Sequence, residues 1–220
     1  MQVPLLGDVG LTAAALATLP GPAREREDQA ADVAARWALW RAEKASRTQD
    51  DHDRGVASAA VFTALTKAAP ADAVLCVDVG NHAYSFGRYL EMQQGQDVLM
   101  SGYLGSIGFA YPAALGAWAA TDGLRPIIAV TGDGGFAQYM AEVTTAVKHH
   151  MNITHVLLNN GQLGKIAKEQ RAGEWDVWQT TLHNPDFAAY ARDCGAHGER
   201  VTTSAELEGA LARALAHTGP

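Results

Sequence analysis

Residues 126–137 read Pro126-Ile127-Ile128-Ala129-Val130-Thr131-Gly132-Asp133-Gly134-Gly135-Phe136-Ala137, and this stretch decides the fold of the 220-residue chain. Its first half is a short apolar run rich in β-branched residues, the pattern of a strand buried on both faces. Glycines stop it, and a helical pattern follows through about His150. The same alternation recurs on either side. An apolar helix over 56–68 leads into Ala73-Val74-Leu75-Cys76-Val77, which ends in Asp78-Val79-Gly80-Asn81-His82. A second helix follows, then the glycine-rich residues 102–108, then an alanine-rich helix with Pro112 in its first turn. A further strand over 153–158 stops at Asn159-Asn160-Gly161. One helix is expected to start near Asn184-Pro185-Asp186, and a last amphipathic one over 204–217 with Ser204 as N-cap. The expected fold class is therefore α/β, a parallel sheet flanked by helices on both faces, spanning residues 56–220. In such sheets ligands sit at the carboxyl ends of the strands, where the glycine-rich loops lie.

Residues 1–55 follow another pattern. An apolar start and an Ala/Leu-rich helix run to Leu19, where Pro20-Gly21-Pro22 breaks the helix. Residues 21–55 read as a charged helical connector, with Trp37 and Trp40 on one helical face as packing anchors. The whole chain carries 17 Lys+Arg against 24 Asp+Glu, a formal net charge of −7, and so lacks the basic surplus that neutralises nucleic-acid phosphates. Hydrophobic residues at 48% against 19% charged argue for a packed core over disorder. Two cysteines, Cys76 and Cys194, are too few for a disulfide framework and point to a reducing, cytoplasmic compartment. No apolar run reaches the length of a membrane span, and Met1-Gln2-Val3-Pro4 lacks the basic start of a signal peptide.

Read as GxGxxA, the loop from Gly132 to Ala137 would be a dinucleotide fingerprint. Two residues oppose that reading. The next strand ends in Asn159-Asn160, not in the acidic residue that would hold a ribose, and Asp133 would set a carboxylate inside a phosphate cradle. A divalent cation resolves the repulsion, and Mg²⁺ suits it, because Mg²⁺ binds carboxylate and carbonyl oxygens together with substrate phosphates. Asn160 stands one helix and one strand after Asp133, so both loops emerge side by side at one sheet edge. Gly161 lets the chain turn so that the main-chain carbonyl of Gln162 faces the metal. The expected ligand set is Asp133, Asn160 and Gln162.

GDG followed at this distance by NN resembles the diphosphate-binding signature of thiamine-diphosphate-dependent enzymes, and the likeness runs over essentially all of residues 56–220. Residues 78–82 resemble that family's first diphosphate-contacting loop. Gly105-Ser106-Ile107-Gly108-Phe109 resembles the loop whose bulky aliphatic residue, here Ile107, props the cofactor into a V shape. The resemblance implies thiamine diphosphate and Mg²⁺ as cofactors. It places cofactor contacts at Val79, Gly80, Asn81, His82, Gly105, Ser106, Ile107, Gly132, Asp133, Gly134, Gly135, Asn160, Gln162, Leu163 and Gly164. The activity it implies is decarboxylation of a small 2-oxo acid such as pyruvate, with the cofactor as electron sink.

Within the family, Glu169-Gln170 resembles pyruvate oxidases and quinone-linked pyruvate dehydrogenases, where acetolactate synthases carry a Trp in a QWE-like string. The expected reaction is oxidative, with Glu169 as a catalytic residue near the substrate; the alternatives are an acetolactate-synthase-like carboligase and a non-catalytic assembly module that keeps the fold. Lys165 departs from the family pattern, which is aromatic or apolar there. His149, His150 and His155 lack metal spacing and read as surface and connector residues, and Trp175 and Trp178 as packing residues of a flap. No stretch resembles the family's pyrimidine-binding domain, whose glutamate activates the cofactor. Residues 1–20 resemble the tail of a middle domain, which in the oxidase branch carries FAD, and the chain stops where relatives continue into one more strand. The resemblance thus implies a carboxyl-terminal piece, or one subunit of a split enzyme, that needs a pyrimidine-binding domain or subunit as partner. It also implies homo-oligomers, for which Ala113, Ala114, Gly116 and Ala117 permit close helix packing. Alone, the chain is expected to bind thiamine diphosphate weakly and not to turn over pyruvate.

Overall fold

A computed structural model describes residues 4–19, 21, 28–49 and 55–220. Pro20 and Pro22, and with them the expected helix break, lie outside the described residues. The chain divides into two units, residues 1–40 and 41–220. In the first, helix α1 (Val9–Thr18) is capped by Asp8, whose carboxylate accepts from the Leu11 N–H at 2.9 Å. Helix α2 (Ala30–Arg47) runs across the boundary between the units. Within the first, the Trp37 and Trp40 rings meet edge to face at 5.1 Å.

The second unit holds helix α3 (Ser58–Ala68), strand β1 (Val74–Val77), helix α4 (Asn81–Tyr89), strand β2 (Asp97–Met100), helix α5 (Ala110–Ala120) and strand β3 (Ile127–Gly132). After these come the single turn α6 (Asp133–Phe136), helix α7 (Val143–Lys148), strand β4 (Ile153–Leu158), and helices α8 (Gly164–Ala172), α9 (Phe187–Asp193) and α10 (Ser204–Ala216). The strands pair in the order β2-β1-β3-β4, and every pairing is parallel. Alternate residues of β1 and β3 face opposite ways, which builds two cores. Leu75, Val77, Ile128 and Val130 pack with Phe62 and Leu65 of α3, Phe86 of α4, and Leu207 and Leu211 of α10. Val74, Cys76, Ile127 and Ala129 pack with Tyr111, Ala114 and Ala117 of α5, Phe136 of α6 and Val143 of α7. Burial on both faces is why these strands read as continuous apolar runs. The helices on each face, and the expected parallel sheet, are present.

Three local readings change. Residues 97–100 carry no strand expectation, yet form β2; all four are exposed, and an outer strand of four residues leaves only a faint periodicity. The helix expected from Phe136 to His150 is three short pieces, the first of them starting earlier at Asp133, and Tyr139 (φ −130°, ψ 19°) interrupts the helical path. The cap of α10 is Thr203, not Ser204; its hydroxyl and the Glu206 carboxylate form a capping box, with Glu206 accepting from the Thr203 N–H at 3.1 Å. Both cysteines are free, and burial pushes the Cys76 thiol up to about 12, so it serves as core filler. Among the described residues no helix is long and apolar enough to cross a membrane.

Candidate metal and cofactor site

The parallel strands bring the ends of β1, β3 and β4 to one edge of the sheet, and the loops leaving them line a single cleft of about 1040 Å³. Val79, Gly80, Asn81 and His82 enter it from β1, Gly105 and Ile107 from the loop before α5, and Gly132 to Gly135 from β3. Asn160, Gln162, Leu163 and Gly164 enter from β4. Of the residues singled out in the sequence, Ser106 and Glu169 do not line it. The Ser106 N–H donates to Ser101 Oγ at 3.0 Å, while Glu169 points outward and forms an ion pair with Lys165 one turn before it on α8. Lys165 does line the cleft, with its ammonium 5.4 Å from the Tyr84 ring centre.

The turn after β3 holds Asp133 only 3% exposed. Its Oδ1 accepts from the Gly134 N–H at 3.0 Å, and its Oδ2 accepts from the Gly161 N–H at 2.7 Å and from Asn184 Nδ2 at 2.7 Å. Gly161 sits at φ 65°, a left-handed conformation that lets its N–H reach across to the neighbouring loop. Asn160 Oδ1 accepts from the Gln162 N–H at 3.2 Å, and the Gln162 carbonyl accepts from the Gly164 N–H at 2.8 Å. The loop after β4 is in turn strapped to the chain beyond α8 by the bonds Leu163 N–H to Thr180 O and Leu182 N–H to Gly161 O, both 2.8 Å.

A second carboxylate, that of Asp78, is fully buried at the end of β1. Its Oδ1 accepts three main-chain bonds, from Val79 (2.7 Å), Gly108 (2.8 Å) and Phe109 (3.2 Å). Burial raises the Asp78 pKa above the ordinary carboxylate value, and those three N–H groups oppose the rise. Asp78 thereby ties the loop after β1 to the loop that carries Ile107. The Ile107 side chain is 38% exposed and lines the cleft, which separates it from the packed core.

His82 is 8% exposed, and its Nε2 is buried with no hydrogen-bond partner. Burial pushes its pKa down to about 4, against the pull of the Asp78 main-chain carbonyl and the Asp133 charge. His155 is a half-buried residue of β4 packed among aromatic rings, not the surface or connector residue expected from its spacing. Its ring packs on Tyr111 and Phe136 at 5.0 and 4.5 Å, its Nε2 meets Thr131 Oγ1 at 2.7 Å, and burial pushes its pKa down to about 3. Both histidines are neutral when folded and bind a proton in the unfolded chain below about 6.5. Their contribution to stability is therefore complete above pH 6.5 and is lost as the pH falls towards 4 and then 3. Between pH 6.5 and 5 the thermal midpoint of the chain is expected to fall, and that of His155→Gln to fall less; equal slopes would refute the assignment to His155.

The arrangement fits a diphosphate held by a hard divalent cation. Asp133, Asn160 and Gln162, which carry hard oxygen donors, all line the cleft, the Gly161 N–H to Asp133 Oδ2 bond holds the loops after β3 and β4 side by side, and His82 lines the cleft with its Nε2 buried and unpartnered. From sequence, Asp78 stands out only as part of residues 78–82 and Asn184 only at a helix start, and neither has an individual contact assigned to it. Each acts through a hydrogen bond to chain distant in sequence, 30 residues for Asp78 with Gly108 and 51 for Asn184 with Asp133, and no local pattern signals such contacts.

Residues 78–220 match the family described as thiamine pyrophosphate enzyme, C-terminal TPP binding domain. The chain is 42% identical over 155 residues to YdaP of Bacillus subtilis (strain 168), whose name describes a thiamine pyrophosphate-containing protein; the match covers 70% of this chain and 27% of that one. It is 33% identical over 161 residues to the acetolactate synthase isozyme 2 large subunit of Escherichia coli (strain K12), covering 71% of this chain and 29% of the relative. The fold also matches a solved structure, the Rhodococcus jostii RHA1 thiamine diphosphate-dependent 4-hydroxybenzoylformate decarboxylase, with a TM-score of 0.69 at 24% identity over 76% of this chain and 31% of that one. The chain spans less than a third of the length of each of these proteins.

Proposed function

This chain belongs to the thiamine pyrophosphate enzymes, as their C-terminal TPP-binding domain, and on that premise we propose that it is the diphosphate- and Mg²⁺-binding part of an enzyme that decarboxylates a small 2-oxo acid such as pyruvate. The observation that supports the proposal is that Asp133, Asn160 and Gln162 line one cleft together with His82, with the loops of Asp133 and Asn160 joined by the Gly161 N–H to Asp133 Oδ2 bond at 2.7 Å. In this reading Asp133, Asn160 and the Gln162 carbonyl hold Mg²⁺, which neutralises the diphosphate without a surplus of Lys and Arg. His82 contacts a phosphate oxygen, and Ile107 supports the bent cofactor from below. Thiamine diphosphate, when bound, supplies the electron sink for cleavage of the carboxylate. The activating glutamate comes from a pyrimidine-binding domain or subunit, and the exposed Tyr103 and Leu104 beside Gly105 are consistent with a second domain closing over this region.

The string Glu169-Gln170 supports the oxidative branch. A second reading, a carboligase, is favoured by the acetolactate synthase name of the Escherichia coli relative and by the outward position of Glu169. Calorimetry with thiamine diphosphate and Mg²⁺, with a pyrimidine-binding domain supplied in trans, tests the common part; absence of any metal-dependent heat would sink it. Product analysis with pyruvate then separates the branches. An oxidised two-carbon product together with a reduced electron acceptor marks the first, and acetolactate marks the second.

A further inference from the structure

We infer that Asn184 is a positioning residue for the metal carboxylate, holding Asp133 so that one of its oxygens is reserved for the cation. This rests on the metal site proposed above. Asn184 Nδ2 lies 2.7 Å from Asp133 Oδ2 and 2.9 Å from Asn159 Oδ1. An ionised carboxylate can only accept, so the nitrogen of the Asn184 amide, not its oxygen, faces Asp133. The second hydrogen on that nitrogen is given to Asn159, whose Oδ1 also accepts from the Gly161 N–H at 3.3 Å. One NH₂ group thus joins the loop after β3 to the loop after β4.

The consequence for Asp133 is an asymmetric carboxylate. Oδ2 receives two donors, Gly161 N–H and Asn184, both at 2.7 Å, whereas Oδ1 receives only the N–H of the adjacent Gly134 at 3.0 Å. The lone pairs left over are those of Oδ1. Without Asn184 the carboxylate keeps one main-chain donor on each oxygen and has no reason to present either to a metal. Asn184 is itself held in register. The bonds of Leu163 to Thr180 and of Leu182 to Gly161 fix the chain just before it, and Asp186 just after it caps α9 through the Ala188 and Ala189 N–H groups, both at 3.0 Å. Pro185 restricts Asn184 to an extended conformation, so the residue ends a strap and does not begin the helix. Partners of this kind around metal ligands change metal affinity by about 10–100-fold.

The probe is Mn²⁺ with inorganic pyrophosphate, which needs only the loops of this chain. Binding to the full 220-residue chain is followed by electron paramagnetic resonance, with circular dichroism melting as a control. Asn184→Leu keeps the volume and removes both donors; Asn184→Ala removes the side chain. Both are expected to weaken Mn²⁺ binding by about 10–100-fold and to alter the line shape of the bound ion. If either variant folds and binds Mn²⁺ within twofold of the parent while Asp133→Ala has lost it, the positioning role is wrong and the metal site stands. A lower melting temperature with unchanged metal affinity and line shape likewise overturns it, since that marks packing alone. If Asp133→Ala binds as the parent does, or the parent binds no Mn²⁺, the metal site itself fails and the inference falls with it.

Discussion

Asp133→Ala is expected to abolish the Mg²⁺ dependence of diphosphate binding, with the affinity for pyrophosphate in the presence of Mg²⁺ falling by on the order of a hundredfold or more, beyond the usual loss for a residue that only supports a ligand. The argument is electrostatic. Asp133 is the only carboxylate among the three expected ligands, and it lies 3% exposed at the end of β3, where a diphosphate without a counter-cation would be repelled. Its removal also takes the acceptor of the Gly134 N–H and of one Asn184 amide hydrogen and leaves the Gly161 N–H only its 3.3 Å bond to Asn159 Oδ1, a cost of about 1–3 kcal/mol for buried donors left unpaired. Asp133→Asn separates the two effects, because an amide oxygen can still accept while the charge is gone. A calorimetric titration with pyrophosphate, with and without Mg²⁺, reads the binding, and a melting curve reads the fold. Equal metal dependence in parent and Asp133→Ala would remove the basis of the proposed site.

Gly135→Ala is expected to lower stability by about 3 kcal/mol, the upper part of the usual cost of overpacking. A Cβ at residue 135 would overlap Asp78 Oδ2, stand 3.1 Å from Asp78 Cγ, and come within 3.3 Å of the Gly108 N–H nitrogen. Asp78 cannot yield. It is fully buried, and its other oxygen holds Val79, Gly108 and Phe109. Any shift leaves those N–H groups unpaired and displaces the loop that presents Ile107. For a unit of this size the melting temperature should drop by roughly 6–12 °C. Gly116→Ala is the control with the opposite sign: on α5 a Cβ at that position meets nothing within 4 Å, and alanine gains about 0.5–1 kcal/mol in a helix. If Gly135→Ala melts with the parent, the close approach of the two loops is not as described.

The glycines and carboxylates that make these predictions differ in how far they can be read without coordinates. Gly132-Asp133-Gly134-Gly135 and Asn159-Asn160-Gly161 stand out because each directly ends an apolar strand, and strand ends in a parallel sheet share an edge. Ile107 is legible only through its place in a glycine-rich loop. Glu169 shows the limit. Its position four residues after Lys165 on α8 favours an ion pair along the helix surface, and the path of the preceding loop, not the sequence string, sets which face of α8 looks into the cleft. The exposed strand β2 and the broken helix after Asp133 escaped for a different reason, since neither has a hydrophobic period long enough to outweigh its surroundings.

What the sequence determined by itself is the alternation of buried strands and helices, the turns that stop the strands, and the hard oxygen donors in those turns. These are local properties, written in the apolar runs and in residues that only a turn tolerates. The tertiary structure alone decided that Asp78 would bind the loop of Ile107, that Asn184 would reach Asp133 from 51 residues away, that His82 would be buried with a bare nitrogen, and that Glu169 would face outward. Each depends on strand order and on the route of a loop through space. Hydrogen bonds between residues so far apart leave no period in the chain, because their partners become neighbours only once the β2-β1-β3-β4 sheet has brought the loops to one edge.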